Sequence, residues 1–186
     1  MSTAQVRSAR TDDAAEIGRI QRDTWRAAYT DILGASVLDR LDAEDVERQW
    51  ADAVAHPETG VYLAFEGEFP VGFCVAGPAP EPEVASADGD LPADAARTGL
   101  IGTILVEPRW GRRGHGGRLL VAAATGLREQ GAERGITWVA QSDSASLAFF
   151  RSVGWNPDGT MRTLDTGERT VRELRLTGDL ALHLTE

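Results

Sequence analysis

Ile104-Leu-Val-Glu-Pro108-Arg-Trp-Gly-Arg-Arg-Gly114-His-Gly-Gly-Arg-Leu-Leu120 runs from an apolar strand through a proline into a glycine-rich turn, and then into an amphipathic helix. The strand begins near Leu100 and ends at Val106. Gly114, Gly116 and Gly117 leave the turn almost without side chains, so its backbone N–H groups can close around an anion. The helix that follows adds its unpaired first-turn N–H groups and the positive end of its dipole. Such a turn reads as a phosphate site, or more plainly as a tight turn in which glycine serves backbone geometry alone.

Two familiar phosphate loops do not fit. A Walker loop ends in Gly-Lys-Ser/Thr, and the chain contains no lysine. The dinucleotide fingerprint Gly-x-Gly-x-x-Gly is absent in that spacing, and no early βαβ unit precedes the turn. The segment instead resembles motif A of the GNAT superfamily of N-acetyltransferases, Val-x-Pro followed by Gln/Arg-x-x-Gly-x-Gly/Ala. Val106, Pro108, Gly114 and Gly116 fall on that pattern. Gly111 departs from it, standing where the family usually has Gln or Arg, with Arg112 and Arg113 next in line as substitute donors.

A second stretch, Trp138 to Trp155, resembles the superfamily's motif B, which commonly reads Asn-x-x-Ala-x-x-Phe-Tyr and closes on Gly-Phe. Phe149 and Gly154 match, and Trp155 is an aromatic equivalent. Asp143 replaces the Asn, Ser146 the Ala and Phe150 the Tyr. Two motifs in the right order make the resemblance specific, and it spans roughly residues 5–177.

The resemblance implies a fold and a chemistry. The fold is α/β: a GNAT-like three-layer arrangement in which helices flank a mixed, mostly antiparallel central sheet. The chemistry is transfer of an acetyl group from acetyl-CoA to a primary amine within a ternary complex, with a backbone N–H polarising the thioester carbonyl. The implied cofactor-binding residues are Ile104, Leu105 and Val106 on the strand, and Arg112, Arg113, Gly114, His115, Gly116, Gly117 and Arg118 at the turn. Asp143 and Phe150 complete that set. Trp25 and Tyr29 are the implied acceptor-binding residues, with core packing as the plainer reading.

The two usual catalytic side chains are missing. Phe150 occupies the position of the tyrosine that protonates the leaving thiolate, and Leu100 that of a carboxylate base. Either solvent and another group take over, Tyr29 and Tyr62 being the only tyrosines, or the chemistry is slow, or the domain binds acyl-CoA without turning it over.

Composition sets the surroundings. The 186 residues suit a single domain, 1–186, with an ample core. No apolar run approaches the roughly 20 residues of a membrane helix, and the first residues lack a signal-peptide core. One cysteine forms no internal disulfide, which fits the reducing cytoplasm. A net charge of −10 argues against nucleic acid and admits a cationic acceptor, though acidity also serves solubility alone. A monomer or homodimer is expected.

Along the chain, Gln5 to Arg10 reads as a strand, and Thr11, Asp12 and Asp13 offer alternative N-caps to a helix running towards Trp25 and Tyr29. Ala43 to Val54 reads as a second helix, and Val61–Phe65 with Val71–Ala76 as a hairpin. Residues 77–97, rich in Pro and Ala and acidic, read as a mobile loop or as plain disorder, and the resemblance implies a place near the mouth of the acceptor cleft. Leu119, Leu120, Ala123, Ala124 and Leu127 mark one face of the helix after the turn, which Gly131 ends. Ile136–Ala140 reads as a strand, Ala145–Val153 as a helix, and Met161–Leu164 with Thr170–Leu176 as a last strand pair. Cys74, alternating with Phe73 and Val75, reads as a core thiol, and His56 and His183 lack partners at metal-ligand spacing.

Overall fold

The computed structural model describes residues 3–41 and 43–182. Seven strands form one sheet in the order β1-β2-β3-β4-β5-β7-β6. They are β1 Ala4–Ser8, β2 Gly60–Glu66, β3 Phe69–Pro78, β4 Thr98–Val106, β5 Arg134–Ala140, β6 Asn156–Asp165 and β7 Thr170–Asp179. Every neighbouring pair is antiparallel except β4 with β5, which are parallel and joined through a helix. The mixed, mostly antiparallel sheet expected from the resemblance is what forms.

The middle strands are apolar on both faces because both faces are covered. On one side Val61, Leu63, Phe73 and Leu105 pack with Ile17 and Ile20 of α1 (Ala14–Thr24). On the other, Ala64, Cys74, Ala76 and Ile101 pack with Leu119, Leu120, Ala123, Ala124 and Leu127 of the long helix after the glycine turn. That helix ends as the sequence indicates. Gly131 adopts φ +93°, its N–H reaches Arg128 O at 3.0 Å, and the Ala132 N–H reaches Leu127 O at 3.0 Å. Cys74 is fully buried in this core, and burial pushes its thiol pKa up.

Two local expectations need correction. No side chain of residues 11–13 caps α1; Thr11–Asp13 form a 3-10 turn. Asp13 instead accepts the Arg10 N–H at 2.7 Å and the Arg7 guanidinium at 2.7 and 3.0 Å. Residues 77–97 are not a bare loop. They hold α5 (Glu81–Val84) and a 3-10 turn at Ala95–Arg97, with Val84 buried at 2% exposure. Arg175 donates to Glu83 O and Ala85 O at 3.0 and 2.8 Å, Arg162 pairs with Glu83 at 2.9 Å, and Arg134 pairs with Asp94 at 2.8 Å. The partners lie on β5, β6 and β7, far along the chain, so local composition gave no sign of them.

The helix expected to run towards Trp25 and Tyr29 changes character after Thr24. Trp25–Tyr29 form a π-helical turn, followed by α2 (Thr30–Leu33), a glycine with φ +83° at Gly34, and α3 (Ala35–Asp39). The hairpin tip between β6 and β7 docks on this region. Ser36 N–H donates to Glu168 at 3.0 Å, Arg40 donates to Thr166 O at 2.7 Å, and Arg169 donates to Asp31 O. α4 (Ala43–Ala55) lies beside α1, and Trp50 meets Phe73 edge-on with ring centroids 5.0 Å apart. The remaining helices are α6 (His115–Glu129) and α7 (Ser144–Ser152).

Candidate active site

β4 and β5 run side by side only at their beginnings. Their pairing goes from Thr98↔Arg134 to Ile101↔Thr137 and stops there, although β4 continues to Val106 and β5 to Ala140. A bulge in β4 marks the divergence: Val75 faces Thr103 and Ala76 faces Ile101, which leaves Gly102 as the extra residue. Beyond it, the β4 backbone groups that face β5 have no strand partner. Between the splayed ends lies a cleft of about 190 Å³, lined by Gly102–Leu105 of β4 and Thr137–Ala140 of β5.

Both sides of the sheet contribute walls. Trp25, Tyr29, Ile32 and Leu33 come from the π turn and α2, Asp143, Ser146 and Phe150 from α7 and the residue before it, and Leu164, Thr166, Val171 and Glu173 from the β6–β7 hairpin. Trp25 and Tyr29, four residues apart, share one face of this turn. Burial, then the charge of Asp143, raises the Tyr29 phenol pKa. Asp143 is the N-cap of α7: its carboxylate accepts the Ser146 N–H at 3.1 Å and the Ser146 hydroxyl at 2.6 Å. Phe150 is 2% exposed and packs against Phe149 and Trp155.

The glycine turn follows directly from the splayed end of β4, through a 3-10 turn at Pro108–Trp110. Arg112 and Gly114 both sit at positive φ, +61° and +78°, an alternation that turns successive N–H groups towards one concavity. A Cβ on Gly116 would come within 3.5 Å of Phe149, so that position is in ordinary contact with α7. His115 is buried, its Nε2 2.7 Å from Glu66 at the end of β2, while its Nδ1 has no partner. Arg113 lies 3.8 Å from Glu66 and 4.9 Å over the Trp110 ring. Arg118 donates to Arg113 O at 2.9 Å, and Arg112 forms no ion pair among the described residues.

Sequence reasoning thus brings several residues to one place. Ile104, Leu105, Asp143, Phe150, Trp25 and Tyr29 line the cleft, and Arg112–Arg118 form the turn beside it. Val106 is outside the lining. Leu100 is too: it lies in the paired part of β4, opposite Ile136, one position before the last bridge. Residues 77–97 do not line the cleft either, and the carboxylates that do are Asp143 and Glu173. Glu173 was not foreseen; it is paired with Arg162 at 2.7 Å, and Arg162 lies 4.2 Å over the Trp138 ring. Nothing local marks a glutamate on an edge-side strand as a cleft wall. Among the described residues no three His, Cys, Asp or Glu side chains gather as a metal site; His183 lies outside the described residues.

A sheet opened between the one parallel strand pair of the described residues, with a glycine turn following the opened end of β4, is the architecture of an acyltransferase class. Residues 17–155 match the model of the Acetyltransferase (GNAT) family, and the chain belongs to it. It is 28% identical over 148 residues to a protein named uncharacterized N-acetyltransferase YuaI of Bacillus subtilis (strain 168), covering 79% of this chain and 77% of that one. The PaiA N-acetyltransferase of Thermoplasma acidophilum, solved in complex with coenzyme A, superposes with a TM-score of 0.70 at 13% identity, over 95% of this chain and 99% of that one. YncA of Salmonella typhimurium, solved with its cofactor acetyl-CoA, gives 0.69 at 17% identity over 98% and 96%. At such identities these two structures establish the fold. No described helix is long and apolar enough to cross a membrane.

Proposed function

We propose that the protein moves an acetyl group from acetyl-CoA to a primary amine by direct attack in a ternary complex. One observation carries this reading: strand pairing ends at Ile101↔Thr137 while both strands continue, so unpaired β4 backbone lies open to the cleft. The pantetheine chain of acetyl-CoA is an extended amide chain, and it fits a slot that offers free backbone donors and acceptors. Ile104, Leu105 and Val106 would take it, and a β4 N–H would polarise the thioester carbonyl. The pyrophosphate suits the turn at Arg112–Gly117, which offers backbone N–H groups and the α6 dipole, with Arg112, in no ion pair among the described residues, as a further donor.

Direct transfer needs no nucleophile of the protein's own. The one cysteine is fully buried in the sheet core and does not line the cleft. The amine must reach the carbonyl uncharged, and holding it there supplies much of the acceleration. The acceptor we favour is cationic before it reacts, since the Asp143 carboxylate, hydrogen-bonded to the neutral Ser146 N–H and hydroxyl, lines the cleft and the chain carries −10 overall. In the 77–97 segment, Glu83 and Asp94 are paired with Arg162 and Arg134.

Free-thiol release from acetyl-CoA, measured against a panel of amines, tests the proposal. Turnover with intersecting initial-velocity patterns is expected, and parallel patterns would contradict direct transfer. Phe150 favours one other reading, a non-catalytic acyl-CoA-binding domain, because a phenylalanine has no proton to give a thiolate. Tight binding of acetyl-CoA with no thiol release on any amine would select it.

A further inference from the structure

We propose that Tyr29 delivers the proton to the departing CoA thiolate, replacing from the opposite wall of the cleft the acid that Phe150 cannot be. The proposal rests on the acetyl-transfer reading above. Tyr29 and Phe150 line the same cleft but arrive from different layers, Tyr29 from the α1 side of the sheet and Phe150 from the α6 side. Tyr29 closes the π turn at Trp25–Tyr29 and lines the cleft from there. Such turns are rare, and they occur often at functional sites.

Three other hydroxyls of the cleft already donate elsewhere. The Ser146 hydroxyl donates to Asp143 at 2.6 Å, the Thr137 hydroxyl to Ile101 O at 2.9 Å, and the Thr166 hydroxyl to Arg169 O at 3.0 Å. Asp143 caps α7 and Glu173 is ion-paired with Arg162, so both act as acceptors. The Thr103 hydroxyl is a far weaker acid than a phenol. The second tyrosine, Tyr62, lies under α6 beside Gly126 and lines a separate hollow. Tyr29 faces Asp143 and Ser146, and burial followed by the Asp143 charge keeps its phenol protonated at neutral pH.

The proton balance closes with this one group. The amine nitrogen forms its bond to the carbonyl carbon, and the C–S bond breaks with its electron pair going to sulfur. The Tyr29 O–H proton passes to that sulfur as charge develops, giving the free thiol. The phenolate then takes the proton that the nitrogen sheds on becoming an amide. Net, one proton moves from nitrogen to sulfur and Tyr29 is regenerated.

Tyr29→Phe in the full chain should lower kcat by about a hundredfold, with the acetyl-CoA Kd by calorimetry changed less than twofold. Adding Phe150→Tyr to that variant should recover about tenfold, because a phenol then enters from the other wall. A kcat within threefold of wild type overturns the proposal, as does a raised acceptor KM with kcat retained, which would make Tyr29 an acceptor contact. Titrating bound CoA and following thiolate absorbance gives a readout without turnover. A phenol donating to the thiolate favours ionisation, so Tyr29→Phe should raise the pH at which the bound thiol ionises by about half a unit or more. Coincident titration curves would sink the proposal even if no acceptor is found. Wild-type protein that binds CoA and shows the shift, yet acetylates no amine, would refute the transfer reading while leaving Tyr29 beside the sulfur.

Discussion

The two halves of β4 are built from similar residues and do opposite things. Thr98–Ile101 is sewn to β5, and the adjoining β5–β7 seam is held by Trp155, whose indole covers Gly135 and Gly178. A Cβ at either glycine would fall within 2.4 or 2.1 Å of that ring, and the indole N–H donates to Asp179 O at 3.0 Å. Past the Gly102 bulge the same strand leaves β5 and opens the cleft. One half is spent on stability, and the other keeps its backbone groups available to a ligand.

Mutations should separate the halves. The largest effect belongs to the sewn half: Trp155→Ala removes a fully buried indole and should cost about 3–5 kcal/mol in urea unfolding. The acetyl-CoA affinity of the fraction still folded should be unchanged. A loss under about 1 kcal/mol would show that the seam does not depend on this residue.

Next comes the open half. Gly114→Asp or Gly116→Asp adds negative charge to the turn proposed for the pyrophosphate, beside Arg118 and against Phe149 respectively, and calorimetry should show acetyl-CoA binding weakened by about a hundredfold or more. Gly114→Asp should also lose about 1 kcal/mol of stability, because φ is +78° there. Unchanged affinity in both variants would dissociate the turn from the cofactor.

Arg112→Ala should weaken acetyl-CoA binding by about five- to tenfold, the worth of roughly one charge-assisted contact, and less so as salt rises. Arg113→Ala should matter less, since that guanidinium already lies against Glu66 and Trp110. The reverse ranking would mean that Arg113 leaves those partners when the cofactor binds.

The smallest effect returns to the sewn half. The Arg134 hydrogen bond holds the Asp94 carboxyl below the usual carboxylate range. A depressed folded pKa contributes stability that is fully present above the unfolded value near about 4 and is lost as pH falls through the folded one. Asp94→Asn should therefore cost about 0.5–1 kcal/mol at neutral pH for this half-buried pair. The variant and wild type should converge in acid. A gap that persists at low pH would assign the loss to packing.

Much of the fold was legible because it rests on short-range patterns. Val61–Phe65 and Val71–Ala76 alternate between two buried faces, the apolar face of α6 recurs at helical spacing, and Gly131 supplies the left-handed stop. The glycine turn was legible for the same reason: positive φ and close backbone approach demand glycine within a few residues of one another. Leu100 shows where such reading stops. Its position in the strand was right, but whether it met the cleft depended on a bulge two residues later, set by how β3 and β4 register.

The sequence by itself determined the family, the order of the strands and the glycine turn after β4, because each is written in contiguous residues whose backbone needs are local. Only the tertiary structure decided which residues face the cleft. Glu173, Tyr29 and Asp143 come from β7, the π turn and the cap of α7, and they meet only once the β6–β7 hairpin docks on α2 and α3. It likewise gave the 77–97 segment its partners, Arg134, Arg162 and Arg175, after that stretch had looked unfit to fold. Contacts between distant segments depend on shape and burial across the whole sheet, and no local spacing encodes them.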